Sequence, residues 1–564
     1  MKKIFLSAVF LVTIAVTVLA QNTPVISKPT FFVLSPDVKL VTDIYFPDTT
    51  NKYPVILMRS PYPRQQYISL AEFFATKGYI TVVQSVRGTG GSSGSNIPFV
   101  YEKEDGVKML DKIAAQTWCN GSIGIYGSSY NSFCGLTLGA SGHPALKALL
   151  NISGWVEPAI MAQPSGVNHL MLNVPWILFS FSGGKLIPGR YNSDSIFLHT
   201  PVNTALKKMG IDVELQQINS SLGVNKGFDY KKFDVPVFHI TGLYDFANEG
   251  TFILADSLAT YNKTQKMWIG PWMHDQLYSG SKKWGELEVP AAAFENISQK
   301  ILDTAVWWFD KFLKNKKEDT QITPEFSCMP IFSESFSMTS KKYPNNYTYQ
   351  TYHIASVKGA NGSSGDGKLS LENNSTKESD YFVSDPQNPV PTYGGANFHF
   401  FPEKNGPRDQ SEIEKRKDVL VYTSSTAKNQ KSFWGPVKTK LYASWTTADC
   451  DFTAKLVAVD PAGKAWIITE GIARMSAADK KSTGIKDKKG NMIYEFVVDM
   501  AHTAFILKKG WKLRLEIAGS NFPKYERNPN TGETPVFAEK FISSNQTIFF
   551  GKQFPSALLL PSYK

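Results

Sequence analysis

Apolar positions along the chain follow two rhythms. Between about residues 25 and 155, short continuous apolar runs alternate with helical spacing. Val55–Met58 and Tyr79–Val83 read as buried strands, and a helical stretch, Leu70–Lys77, precedes the second. Asp105–Ala115 places Val107, Leu110, Ile113 and Ala114 on one side of a helix. Ile123–Gly127 is a further strand and runs into a sharp turn. Strand and helix in alternation imply a largely parallel sheet with helices on its faces. Residues 156–233 break the rhythm with Pro158, Pro164, Pro175 and Pro188 and apolar clusters such as Leu170–Leu172, as expected of an inserted, mainly helical cap. The sheet resumes at Val235–Thr241 and at Met267–Ile269. Ile301–Leu313, with Trp307, Trp308 and Phe312, is an amphipathic helix.

From about residue 320 the period becomes two. Trp511, Leu513, Leu515 and Ile517 share one face of a strand. Lys455–Val459 and Met492–Val498 behave likewise, and turns such as Asp460–Gly463 separate such segments. Many strands without intervening helices predict an all-β sandwich or jelly roll. The Gly/Ser/Asn-rich stretch 355–375 reads as a surface loop. The expected fold is therefore α/β: a sheet-and-helix domain with an inserted helical cap, followed by a C-terminal all-β jelly-roll sandwich. The divisions fall at 21–155 and 234–318 for the two parts of the α/β domain, 156–233 for the cap and 319–564 for the jelly roll.

Composition refines this picture in three ways. The chain of 564 residues is 42% hydrophobic and 19% charged, ordinary for a globular protein and too long for one core. Residues 1–20 carry Lys2 and Lys3 ahead of an apolar run, Ile4–Leu19. Small residues at Val18 and Ala20 suit cleavage before Gln21. This reads as a signal peptide for a secreted or periplasmic protein; the competing reading is a retained membrane anchor. The formal charge is +11, and without Lys2 and Lys3 it is +9. The basic residues are dispersed, so no concentrated basic face points to nucleic acid, and no later segment suits a membrane span. Cys119, Cys134, Cys328 and Cys450 form no compact framework and read as small core residues. No motif suggests a metal or cofactor.

The candidate chemistry centres on Gly127-Ser128-Ser129-Tyr130. A strand leads into it, and a helix with Gly135, Gly139 and Ala140 leaves it. Strand, tight turn and helix, with glycine two residues before a serine, make a nucleophile elbow. Asn131 replaces the usual second glycine. A serine hydroxyl needs a base, and the base an orienting carboxylate. Of the eight histidines, His274 follows the strand ending at Ile269, in the loop Gly270-Pro271-Trp272-Met273. Asp245 follows the strand Val237–Thr241, in Thr241-Gly242-Leu243-Tyr244-Asp245. Both lie beyond carboxyl ends of strands, where such sheets hold their sites. Asp245 also reads as a turn or helix-cap acid. His239, inside an apolar strand, reads as a core residue. Arg87-Gly88-Thr89-Gly90-Gly91 has Ser93 where a dinucleotide fingerprint needs its third glycine, so it reads as a tight loop.

Taken together, these motifs resemble the family of cocaine esterase, X-Pro dipeptidyl-peptidase, α-amino-acid ester hydrolase and glutaryl-cephalosporin acylase. The resemblance spans nearly the whole chain after residue 20. It rests on Arg59–Tyr62, Val86–Gly94, Trp118–Gly121, Gly127–Tyr130, Leu243–Asp245 and Ile269–His274. In the β region it rests on Asp451–Leu456, Asn521–Pro523 and Arg527–Gly532. It implies an α/β-hydrolase domain and a triad of Ser129, Asp245 and His274. It also implies an oxyanion hole made by the Tyr130 N–H and the Tyr62 hydroxyl, although Tyr62 alone would also pass for a packing residue. The activity implied is hydrolysis of a small-molecule ester or amide, or of a short peptide, without a cofactor. Carboxylic ester hydrolysis leads. X-Pro dipeptidyl-peptidase and α-amino-acid ester hydrolase or acylase are the alternatives, and a carbohydrate-binding module is the non-enzymatic one. In the family's amino-acid ester hydrolases, acids two and three residues after the triad Asp help hold the substrate ammonium. Here those positions are Ala247 and Asn248, which cannot carry the charge, and Glu249, one further on, is expected to point elsewhere. Cap acids Glu157, Asp194, Asp212 and Glu214 are the remaining candidates for that role.

Overall fold

The structure, a computed structural model, describes residues 26–181, 197, 204, 221–274, 276–279, 283–288, 290–316, 324–375, 377–398 and 405–563. The expected signal segment 1–20 lies outside these residues, as do Asp194, Asp212 and Glu214 of the cap.

The first sheet is built from β1 (Ile26–Ser35), β2 (Val38–Phe46), β3 (Tyr53–Ser60), β4 (Ile80–Ser85), β5 (Cys119–Ser128), β6 (Leu146–Ile152), β7 (Val237–Tyr244), β8 (Gln265–Met273), β9 (Phe326–Cys328) and β10 (Met338–Ser340). Their spatial order is β1-β2-β4-β3-β5-β6-β7-β8-β9-β10. From β4 to β9 neighbouring strands run parallel, while β1, β2 and β10 are antiparallel edges. The continuous apolar runs arise because helices cover both faces. The helices include α1 (Ile68–Thr76), α2 (Glu102–Ala114), α3 (Tyr130–Leu136), α4 (Ala159–Ala162), α5 (Leu170–Phe181), α6 (Asn248–Thr260) and α7 (Ile297–Leu313). One layer packs Phe74, Trp308 and Phe309 against Ile56, Tyr126 and Leu150. The other packs Met109, Leu110 and Ile113 of α2, with Leu254 and Leu258 of α6, against Val55, Ile123 and Val237.

Three boundaries differ from the sequence reading in ways that matter. Helix α2 begins at Glu102, three residues before the expected start, with Glu102, Glu104 and Asp105 in its first turn, where acids complement the helix dipole. Strands β7 and β8 are also longer than expected. Residues 270–273, read as a loop, continue β8 to Met273. Pro271 is tolerated there because β9 pairs with β8 only as far as Ile269, while β7 runs on alongside.

Between β6 and β7 the chain leaves the sheet, and α4 and α5 pack in this excursion. The C-terminal domain is a twelve-strand, mainly antiparallel sheet system. It includes β11 (Lys431–Trp445), β12 (Asp451–Val459), β13 (Ala465–Arg474), β14 (Met492–Leu507) and β15 (Lys512–Ala518). Strand β12 lies between β13 and β15 and is buried on both faces, so Lys455–Val459, read as alternating, has no solvent-facing side. All four cysteines are buried and none is bonded to another.

Buried polar contacts join the bodies. The Tyr244 hydroxyl, at the end of β7, donates to the Ile467 carbonyl of β13 at 2.7 Å. In the excursion, Asn168 donates through its Nδ2 to Glu526 at 2.6 Å. Glu526 also accepts from Arg474 at 2.6 Å, and Arg474 holds both Asp451 oxygens at 2.8 Å. All four side chains are buried, so each charge depends on its partners for what it loses in leaving water. Asp451 and Glu526 lie in or beside the β-region motifs quoted above.

Candidate active site

Strand β5 ends at Ser128 and α3 begins at Tyr130, which leaves Ser129 alone at the turn. Its backbone sits at φ 55°, ψ −124°, a region unfavourable to any residue with a side chain. The local sequence makes room for it. A Cβ on Gly127 would stand 2.5 Å from the Ser132 Cα, so only glycine lets the helix fold back over the strand. Asn131, in the place of the second glycine, is buried and donates to the Tyr67 hydroxyl at 2.8 Å. That hydroxyl shares a hydrogen bond with Ser60 Oγ at 2.9 Å, and Ser60 Oγ accepts from the Tyr62 N–H at 3.0 Å. A polar chain therefore runs from the elbow to the loop that carries Tyr62.

The structure brings Ser129, His274 and Asp245 together. The Ser129 Oγ lies 3.1 Å from His274 Nε2. His274 Nδ1 lies 2.9 and 3.0 Å from the two oxygens of Asp245, which is fully buried. The Ala247 N–H also donates to Asp245, at 2.8 Å. Two parallel strands supply the acid and the histidine, and Gly242 allows their close approach: a Cβ there would meet the Trp272 carbonyl oxygen at 2.1 Å. This arrangement can move a proton from the serine oxygen to the imidazole while the carboxylate steadies the cation formed.

Tyr62 is partly buried, and its hydroxyl accepts from Trp176 Nε1 at 3.2 Å. Burial pushes its pKa up, so it stays protonated and able to donate. Tyr130, fully buried, donates its hydroxyl to Glu102 at 2.6 Å and accepts from the Phe99 N–H at 2.8 Å. Burial raises the Glu102 carboxyl against the pull of that hydroxyl and of the Arg59 charge. Tyr62, Phe99, Tyr130, Trp155, Leu172 and Trp176 surround a small cavity at Ser129. Over the histidine lie Phe246, with ring centroids 4.3 Å apart, and Phe398 of the C-terminal domain at 6.3 Å.

A larger chamber of 680 Å³ lies between α4, α6 and the C-terminal domain, and Met161, Leu222 and Phe246 line both cavities. Its walls carry Glu157, Glu249, Glu470 and Asp499 with Lys226 and Lys524. Among the described residues no group of three or more His, Cys, Asp or Glu could hold a metal.

Other sequence expectations find definite places. His239 is fully buried beside Asn151, at 2.9 Å, and burial lowers its pKa to about 3. Ser128 is buried behind the turn. Glu102, Trp176, Phe246 and Phe398 were not singled out in the sequence. Glu102 had been placed outside its helix, and the aromatic residues carry no motif.

A strained serine at a strand-to-helix turn, hydrogen-bonded to a histidine and through it to a buried acid, defines a serine hydrolase site on an α/β sheet. Comparison with known proteins agrees. The family described as X-Pro dipeptidyl-peptidase (S15 family) matches residues 37–276, and its C-terminal non-catalytic domain matches residues 316–559. The chain belongs to this family of serine hydrolases, which includes the cocaine esterase-like enzymes. The cocaine esterase of Rhodococcus sp. (strain MB1 Bresler) is 28% identical over 93% of this chain and 96% of its own length. Among solved structures, an α-amino-acid ester hydrolase matches with a TM-score of 0.79 at 20% identity, over 97% of this chain and 98% of its own. An aminopeptidase from a marine sediment Thaumarchaeota archaeon matches at 0.78 and 19%, over 95% and 96%. At such identities these two likenesses show the fold.

Tyr62→Phe removes one hydroxyl and little volume. If that hydroxyl helps bind the oxyanion, kcat falls by about 10²–10³ with KM little changed, because the bond strengthens in the transition state. Steady-state kinetics on a p-nitrophenyl ester decide it, and an unaltered kcat would leave Tyr62 a packing residue.

Proposed function

We propose that this protein is an exported carboxylic ester hydrolase that works through an acyl-enzyme on Ser129. The observation that carries the reading is the hydrogen-bonded series Ser129–His274–Asp245. In this mechanism Ser129 Oγ attacks the substrate carbonyl as His274 Nε2 takes its proton. Asp245 holds the imidazole in the right tautomer and stabilises its charged form. The Tyr130 N–H and the Tyr62 hydroxyl donate to the oxyanion. The imidazolium returns the proton to the leaving oxygen, and water, activated by the same histidine, releases the acid.

The acyl group we propose is apolar and lacks a free α-amine. The aromatic walls at Ser129 suit an aryl or branched acyl group. Ala247 cannot carry charge, and Asn248 spends its amide on the Leu243 carbonyl. In the cap, Glu157 is engaged by the Tyr230 hydroxyl at 2.8 Å and the Gly227 N–H at 3.1 Å. An ammonium buried without a free carboxylate is costly to desolvate. The second reading, an X-Pro dipeptidyl-peptidase, is favoured by the name of the matching family and requires a bound N-terminal ammonium.

Four measurements test these proposals. Ser129→Ala should remain folded and lose roughly 10⁴-fold in activity. A serine-directed phosphonate should label Ser129; labelling of Ser128 instead, or near-normal turnover in the variant, refutes the nucleophile. At neutral pH, kcat/KM should favour a phenylacetate ester over its phenylglycine counterpart, and a tenfold preference for the aminated partner would transfer the enzyme to the amino-acid ester hydrolase or peptidase branch. Finally, intact mass of protein exported by its native host should place the first residue at Gln21; a mature species retaining residues 1–20 would indicate an anchor.

A further inference from the structure

A histidine of the C-terminal domain occupies an unusual position behind the chamber wall. In the pairing of β11 with β14, Pro436 faces His502 and Lys438 faces Asp499. Met500 and Ala501 thus stand against Val437 alone, which makes a bulge. Ala501 takes φ 62°, a left-handed conformation that an alanine adopts only at a cost. Bulges re-aim side chains, and this one delivers His502 into the protein, where it is 4% exposed.

His502 lands on α6, the helix that starts three residues after Asp245. Glu249, Phe252 and Asp256 follow one another at spacings of three and four, so they share a face of that helix. Glu249 accepts from the His502 backbone N–H at 2.7 Å and meets ring Nδ1 at 2.9 Å. Ring Nε2 lies 3.1 Å from Asp256, whose other oxygen accepts from the Tyr347 hydroxyl at 2.7 Å. Phe252 stacks on the imidazole with centroids 5.2 Å apart. With one carboxylate on each nitrogen, both nitrogens must donate, which only the protonated ring can do. Burial alone would favour the neutral ring, but the Glu249 charge and the bonds to Asp256 and Glu249 outweigh it and raise the pKa to about 10.

Glu249 is also part of the chamber wall, with Asp499 and Ala501 of the bulge beside it. Across the chamber Glu470 is matched in the same way by Lys524, at 2.6 Å. Glu470 therefore has a cation of its own, whereas Glu249 shares the single charge of His502 with Asp256, and Asp499 lies 3.9 Å from Lys438.

We propose that His502 is a specificity-determining residue: held between two carboxylates, it supplies the fixed positive charge that offsets Glu249 on the chamber wall, so that the chamber selects neutral over cationic acyl groups. The proposal deepens the functional reading above and rests on it, since it takes the chamber to be where the substrate acyl group extends from Ser129. Without the imidazolium, Glu249 would be an uncompensated carboxylate facing the chamber and would attract an ammonium.

The test uses the full-length protein with methyl phenylglycinate and methyl phenylacetate at pH 6, where the amine is protonated. The quantity read is the ratio of their kcat/KM values. His502→Gln should move this ratio roughly tenfold toward the aminated ester. General damage to the fold would lower both substrates together and leave the ratio fixed, and a fixed ratio in a folded His502→Gln enzyme overturns the proposal. If His502→Gln fails to fold because two acids lose their cation, the double variant with Glu249→Gln decides. It removes both charges, so its ratio should stay within about threefold of wild type. A tenfold loss confined to the aminated ester would mean that Glu249 already pairs with ammonium, and a tenfold gain would mean that His502 is not cancelled by it; either result overturns the proposal. The wild-type preference alone judges the functional reading, and the shift between proteins judges His502, so the two can fail separately.

Discussion

The arrangement depends first on the backbone of Ser129. A non-glycine residue at φ 55°, ψ −124° holds a conformation that local sequence does not favour, so the surroundings must enforce it. The enforcement comes from both sides of the turn. Gly127 lets α3 press on β5, and a Cβ on Gly154 would stand 2.2 Å from that of Ser132. The Tyr130 ring packs against both Phe99 and Trp176, with centroids at 4.9 and 6.1 Å, while its hydroxyl is tied to Glu102. The residue that follows Ser129 is thus fixed by its own side chain.

A second dependence concerns the walls. The serine, the histidine and the acid all come from the sheet, yet the space around them does not. Phe398 of the C-terminal domain stands beside Phe246 over the histidine, with centroids 5.4 Å apart. Trp176 comes from the excursion between β6 and β7. The chamber beyond is bounded by all three bodies. Such a site keeps its shape only while the bodies stay docked, and their docking surface is polar as well as apolar: Asn168–Glu526–Arg474–Asp451 on one side and His502 with its two acids on the other.

What was legible in the sequence follows from this division. The strands of the parallel sheet were readable because burial on both faces makes them continuous apolar runs. The elbow was readable because its steric demands are met within four residues. The ends of β8 were misread because Gly270 and Pro271 ordinarily punctuate a strand; what permits them is the early departure of β9, a fact about a segment more than fifty residues further on. Glu102 was passed over because the start of α2 was placed too late. His502 and Glu249 are 253 positions apart, and Asn168 and Glu526 358. Pairings at such separation leave no periodic trace, since nothing local distinguishes these residues from solvated polar ones.

The bond from the Tyr244 hydroxyl to the Ile467 carbonyl has a consequence for how the chain can change over generations. Tyr244 is the residue before Asp245, so the strand that presents the acid is fastened to the neighbouring domain at its last position. Two regions that family comparison treats as separate modules therefore share one mechanical foundation. A substitution that shifts the backbone at Ile467 can therefore displace Asp245 without touching it. A C-terminal domain borrowed from a distant cousin would bring its own twist and spacing to that fastening, and the acid would inherit the misfit.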